Sequence, residues 1–172
     1  MNVYEAIEKR RSVRAYEDRP VEQEKLDRIL EAARLAPSAS NRQEWRFVIA
    51  RDAATRQRLM KAAGGQAFVG QAPVVIACCA ETDGHVMRCG QPCYPIDVAI
   101  AIDHISLAAV EEGLGTCWIG AFSEPQAKEV LGIPEHIRVV ELLTLGYPAT
   151  QPGARSRKAI EEIVCYDKWS LG

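Results

Sequence analysis

The sequence predicts an α+β fold, a mixed β-sheet flanked by helices, in one domain spanning residues 1–172. Three observations carry that prediction. Apolar residues recur at helical spacing, most clearly through Leu26, Ile29, Leu30 and Ala33. Short runs rich in Val, Ile, Leu and Cys at 45–50, 73–80 and 138–146 read as strands interleaved with the helical segments. Several connections between them are too short for the crossovers of an all-parallel sheet, which leaves a mixed one.

The elements follow in order. Residues 2–10 read as a helix with Val3, Ala6 and Ile7 on one face. Pro20 and Val21 lead into an amphipathic helix at 22–35, which Pro37 stops. Residues 45–50 form a strand. Asp52 is placed to cap a helix running to about Ala63, where Gly64 and Gly65 break it. Residues 73–80 read as a buried strand and 81–95 as a loop. Residues 96–112 make the most apolar helix, with Val98, Ile102, Ile105 and Ala109 facing inward and Ala or Ile on other sides too. Such a helix needs cover on more than one side, which a second subunit would supply. Gly113 ends it. Residues 117–122 read as a strand containing Gly120, and Ser123 caps a helix to Leu131. A strand at 138–146, a polar irregular stretch at 148–158 and a last strand at 160–164 complete the chain.

The bulk composition narrows the function. A net charge of −2 argues against a nucleic-acid partner, which asks for a basic face. No uninterrupted apolar run reaches the ~18 residues of a membrane span, and residues 1–14 read as a charged helix without a signal-peptide core. A cytoplasmic protein with no membrane partner is the expectation. In that compartment the six cysteines read as reduced thiols, and their spacing fits no zinc pattern.

Four polar clusters stand out from this frame. Arg10, Arg11, Ser12 and Arg14 lie near the start of the chain, and Arg155 and Arg157 near its end. Guanidinium forks meet a phosphate with paired, charge-assisted hydrogen bonds, so the two groups suit one phosphate gripped from both sides if they meet in space. Pro37, Ser38, Ala39, Ser40, Asn41 and Gln43 form a turn rich in donors and acceptors after a helix stop. The stretch Gly113–Gly120 follows a helix and lacks dinucleotide-fingerprint spacing, so Gly113 and Gly115 read as terminator and turn. Gly120 is different, because glycine in a strand permits close backbone approach to a ligand. Together these segments suit flavin mononucleotide, a phosphorylated, flat, hydrogen-bonding ring.

In this order the segments RRSVRAY, APSASNRQEW, IDVAIAIDHISLAAVEEGLGTCWIG, LGYP and RSRKAIEEIV resemble the FMN-dependent nitroreductase family in a compact form. The resemblance implies an intertwined homodimer with FMN at its interface. It implies that Arg10, Arg11 and Ser12 contact phosphate and ribityl groups, with Arg155 and Arg157 closing on the phosphate. Arg14 matches a basic residue near the pyrimidine edge, where a cation stabilises negative charge on the reduced ring. Pro37, Ser38, Ala39, Ser40, Asn41 and Gln43 match a segment lining the flavin across the interface. Gln66 matches an amide at the ring edge, and Gly120 a backbone N–H facing flavin N5. No side chain is assigned as acid or base. The implied activity is electron transfer from NAD(P)H to a nitroaromatic, quinone or similar small electrophilic acceptor by a ping-pong mechanism. The chain departs from the family at Glu44, where Pro is frequent, and lacks a longer central helical insertion.

Two other readings stay open. The chain could bind FMN as a sensor or carrier with little turnover. Alternatively His85, Cys89 and Cys93 in the 81–95 loop could ligate zinc or cycle as a dithiol, although an ordinary loop is the better account and no metal is assigned. Cys78 and Cys79 read as core, and His104 as a satisfied core or interface histidine.

Overall fold

A computed structural model describes residues 1–171 of the chain. Among the described residues, six α-helices are arranged around four strands: α1 (Val3–Lys9), α2 (Gln23–Arg34), β1 (Trp45–Ala50), α3 (Ala53–Ala62), α4 (Ala67–Gln71), β2 (Val74–Ala80), α5 (Cys93–Glu111), β3 (Gly115–Ile119), α6 (Glu124–Leu131) and β4 (Arg138–Gly146). The sheet order is β1-β2-β4-β3, and every neighbouring pair is antiparallel. The parallel component of the expected mixed sheet is confined to an isolated bridge between Ser12 and Thr116 at the β3 edge.

The alternation of β2 explains the layering. Val74, Ile76, Cys78 and Ala80 face a core shared with α2 and α5, while Val75, Ala77 and Cys79 face one shared with α3 and α6. Both faces of the sheet are therefore covered, and all seven residues of β2 are buried. In α2, the buried residues Leu26, Ile29 and Ala33 are the apolar stripe read from the sequence. Asp52 caps α3 as expected, its carboxylate accepting the Thr55 N–H at 2.8 Å. Ser123 sits at the start of α6 but makes no side-chain cap bond.

α5 differs from expectation in two ways. It begins at Cys93, so the last three residues of the expected loop are its first turn. Its 19 residues are also long and apolar enough to cross a membrane by length and composition. Here it lies against the sheet instead, with Val98, Ile102, Ile105 and Ala109 fully buried.

Three further corrections concern boundaries. β3 ends at Ile119, so Gly120 follows the strand and is not within it. Gly115 begins β3 and serves a packing purpose: a Cβ there would fall inside the Val13 side chain. Residues 160–162 form a single 3₁₀ turn, not a strand, and leave Ile160 and Ile163 exposed.

Candidate functional site

The segment Ser12–Tyr16 is stapled to the sheet edge. The Val13 N–H donates to the Thr116 carbonyl at 2.9 Å. Val13 packs where Gly115 has no side chain. The buried Tyr16 hydroxyl lies 2.9 Å from the Val13 carbonyl oxygen and 2.7 Å from Thr144 Oγ1, and burial drives its pKa up. Alternation along an extended chain then does the rest. Val13 points in, while its neighbours Ser12 and Arg14 stay exposed.

Ser12 and Arg14 face a cleft of about 340 Å³, and Arg10, Arg11, Gly153, Ala154, Arg155 and Arg157 share its lining. The two cationic ends of the chain thus meet. Residues 147–149 bring the C-terminal segment there: Glu17 N–H donates to the Tyr147 carbonyl and Ala149 N–H to the Ala15 carbonyl. Among the described residues, none of these five arginines has a carboxylate within ion-pair distance, although Glu8 also lines the cleft. Arg11 and Arg157 donate to nearby backbone carbonyls. The Arg14 guanidinium stands 6.0 Å from the Phe68 ring centre. Uncompensated cations held this close leave their electrostatic demand for an anion from outside the chain.

Gly120 is exposed at the end of β3. A Cβ there would meet only the Glu141 carboxylate oxygens at 3.6 Å, an ordinary contact, so packing within the chain does not require glycine. Gln66 comes close by, its side-chain amide donating to the Ala63 and Ala121 carbonyls at 2.9 and 3.3 Å. Glu141 is a neighbour that sequence reasoning missed. It is half-buried next to a bulge that leaves Val140 unpaired with β2, and burial raises its carboxyl above the usual range. One signal was present, a lone acid in the apolar run VVELLTL.

The 37–43 turn is tightly built. Ser40, Asn41 and Gln43 all have left-handed backbones, with φ near 50–55°, which costs each a non-glycine penalty. Ser38 Oγ accepts the Gln43 N–H at 3.1 Å, and Asp97 Oδ1 accepts the Ala39 N–H at 3.1 Å. These bonds hold the turn while Pro37, Ser40, Asn41 and Gln43 remain exposed. Glu44, the departure from the family pattern, is buried and fastened to Arg42 at 3.0 Å.

Within one chain this turn does not reach the arginine cleft. The turn is tied to Asp97, near the start of α5. Arg11 instead lies with Val110 and Gly113, past its other end. At 1.5 Å per residue the separation along the helix is on the order of 20 Å.

Burial disfavours the thiolate at several cysteines, whereas the Ser170 N–H lowers the Cys165 thiol. All six cysteines are free. Burial raises Cys78 well above an ordinary thiol, Cys79 to about 11, and Cys117 upward as well. His85 and Cys89 are exposed on the loop, whereas Cys93 is buried beside Glu44, so those three do not form one site.

Comparison with known proteins places the fold. The family model described as "Nitroreductase family" matches residues 7–82 and 60–147. The FMN reductase (NAD(P)H) of Bacillus subtilis is 32% identical over 178 residues, covering 94% of this chain and 72% of that protein. A solved nitroreductase family protein from Clostridium difficile 630 superposes with a TM-score of 0.89 at 32% identity, covering 98% of this chain and 100% of the other. An FMN-dependent nitroreductase from Clostridium difficile R20291 does so with a TM-score of 0.84 at 30% identity, over 95% and 98% of the two chains. Fold and sequence converge, and the chain belongs to the nitroreductase family.

Proposed function

We propose that this chain is an FMN-dependent oxidoreductase that passes electrons from NAD(P)H to a nitroaromatic, quinone or similar electrophile, working as a homodimer. The observation that carries this reading is the cleft where arginines from both ends of the chain converge without a carboxylate partner. A phosphate ester fits that charge. Arg10, Arg11, Ser12, Arg155 and Arg157 would hold the phosphate and the chain beside it. Arg14 would stand at the pyrimidine edge, and Gln66 and the Gly120 backbone along the ring. When bound, FMN supplies a ring that takes electrons in one half-reaction and gives them up in another.

The residues of the chain bind and orient. Arg14 offers a cation to negative charge on the ring. Exposed Gly120 lets the backbone come close. The uncrowded surface there accommodates first the nicotinamide and then the acceptor, which gives ping-pong kinetics.

Two observations support the dimer. The outward face of α5 carries Ile96, Ala99 and Ile100, and the exposed residues Ile160, Ile163, Tyr166 and Trp169 add apolar surface. In addition, a site that needs both the arginine cleft and the 37–43 turn must take one from each protomer, because a single chain holds them at opposite ends of α5. A cytoplasmic location is part of the reading and suits six free thiols. Steady-state rates with NADH or NADPH and a quinone or nitroaromatic test the proposal. Parallel double-reciprocal lines are expected, and the absence of acceptor-dependent nicotinamide oxidation would contradict it.

A further inference from the structure

The loop cysteine left over from the flavin argument has two unexpected neighbours. Cys93 opens α5 fully buried, and its Sγ lies 3.6 Å from Glu44 Oε2. A carboxylate oxygen of Asp97 joins them, so that the ligating atoms of Glu44, Cys93 and Asp97 all lie within 4.8 Å of one another. All three residues are buried, Glu44 at 6%, Asp97 at 3% and Cys93 at 0% exposure.

Asp97 gives the independent sign. Its Oδ1 accepts the Ala39 N–H, but its Oδ2 is buried and has no hydrogen-bond partner among the described residues. A buried carboxylate oxygen without a partner is costly, and native structures ordinarily satisfy it with a donor or an ion. Because the atom is enclosed by its own chain, a partner subunit does not reach it.

The geometry points to a site for a thiophilic divalent ion of the zinc class, ligated by Glu44, Cys93 and Asp97. Several observations support this. With metal–sulfur and metal–oxygen bonds of about 2.3 and 2.0 Å, a tetrahedral centre separates S and O ligands by about 3.5 Å, close to the observed Cys93–Glu44 distance. A thiolate selects zinc-like ions over magnesium or calcium. A divalent ion offsets most of the charge of two carboxylates and a thiolate; Arg42, shared between Glu44 Oε1 and Asp83, adds to it, and Glu44 Oε2, which accepts the Cys93 thiol, is the oxygen that would turn to the metal. Binding releases the Cys93 thiol proton to solvent. On its outer side Glu44 also lines a surface pocket of about 510 Å³, with Arg42, Glu81, Thr82 and Asp83. A water would complete a tetrahedral set, as in zinc sites with three protein ligands. Through Asp97 and Ala39 the ion would stiffen the left-handed 38–43 turn, independently of whether that turn meets a flavin.

The test uses the purified full chain as isolated, with whatever flavin it carries. It is titrated with Co²⁺ and read by difference absorbance for a thiolate-to-cobalt charge-transfer band, with bound zinc measured by mass spectrometry after dialysis against ZnCl₂. One ion per chain and a thiolate band are expected, with Cys93→Ser losing the band, Asp97→Asn binding more weakly and Cys89→Ser binding as wild type. A wild-type chain that gives no thiolate band overturns the site, whether or not the variants fold. So does a band that survives Cys93→Ser, or one that disappears with Cys89→Ser.

Discussion

Arg155 reaches the cleft from the far end of the chain, yet it lines the same wall as Arg10 and Ser12. A hydrogen bond to a charged group is worth about 1.5–3 kcal/mol, so Arg155→Ala should weaken FMN binding roughly 10- to 100-fold. Riboflavin, which lacks the phosphate, should bind as it does to the wild type. Fluorescence titrations with both flavins check this, and equal losses for the two would place Arg155 elsewhere than at the phosphate. Glu141 makes a prediction in the other direction. Burial raises its carboxyl above the ordinary value of 4.5, so the native state holds that proton more tightly than the unfolded chain. Its charged form therefore costs stability, and the cost grows as pH rises from the ordinary value through the raised native one. Glu141→Gln should be more stable than wild type at neutral pH, and the difference should vanish below the ordinary carboxylate range. Urea midpoints measured across pH give the answer; a gap that does not depend on pH would show that Glu141 is not the titrating group.

At the scale of elements, the strip 12–16 depends on an absent side chain. Gly115→Ala would push a methyl group into Val13, and overpacking of this kind costs about 1–3 kcal/mol. Val13→Ala should cost stability alone yet relieve Gly115→Ala, so the double variant should lose less than the sum. Denaturant midpoints of the four proteins check this, and strict additivity would mean that the two residues do not press on each other. The same scale shows why some elements were legible and others were not. α2 announced itself through Leu26, Ile29 and Ala33, and β2 through an unbroken apolar run, because local pattern and final burial coincide there. α4 was missed because its signal is not local: Arg56 reaches across to the Gly70 and Ala72 carbonyls at 2.9 and 2.6 Å and holds its end. Residues 160–164 look like a strand because Ile and Val favour one, but here the segment finds no strand partner among the described residues and turns instead. In the site, each arginine cluster was visible in sequence. Their meeting was not, since it depends on Tyr147 and Ala149 pairing with Glu17 and Ala15.

For the whole molecule, the proposed flavin site requires two chains. Among the described residues, the outward stripe of α5 is only partly covered and Ile160, Ile163, Tyr166 and Trp169 are exposed. Ile96→Glu with Ile100→Glu places like charges in the proposed interface, so sedimentation should show monomers and bound flavin should fall with the dimer. A charged variant that remains dimeric and flavin-loaded would move the interface to another surface. In the proposed function, the cleft built from both chain ends binds FMN and presents it for reduction. Its most direct test is the anaerobic absorbance spectrum of the purified protein, loaded with FMN, before and after addition of NADH or NADPH. A flavin spectrum that bleaches with at least one nicotinamide is expected, and a colourless protein that takes up no added FMN would overturn the cofactor assignment.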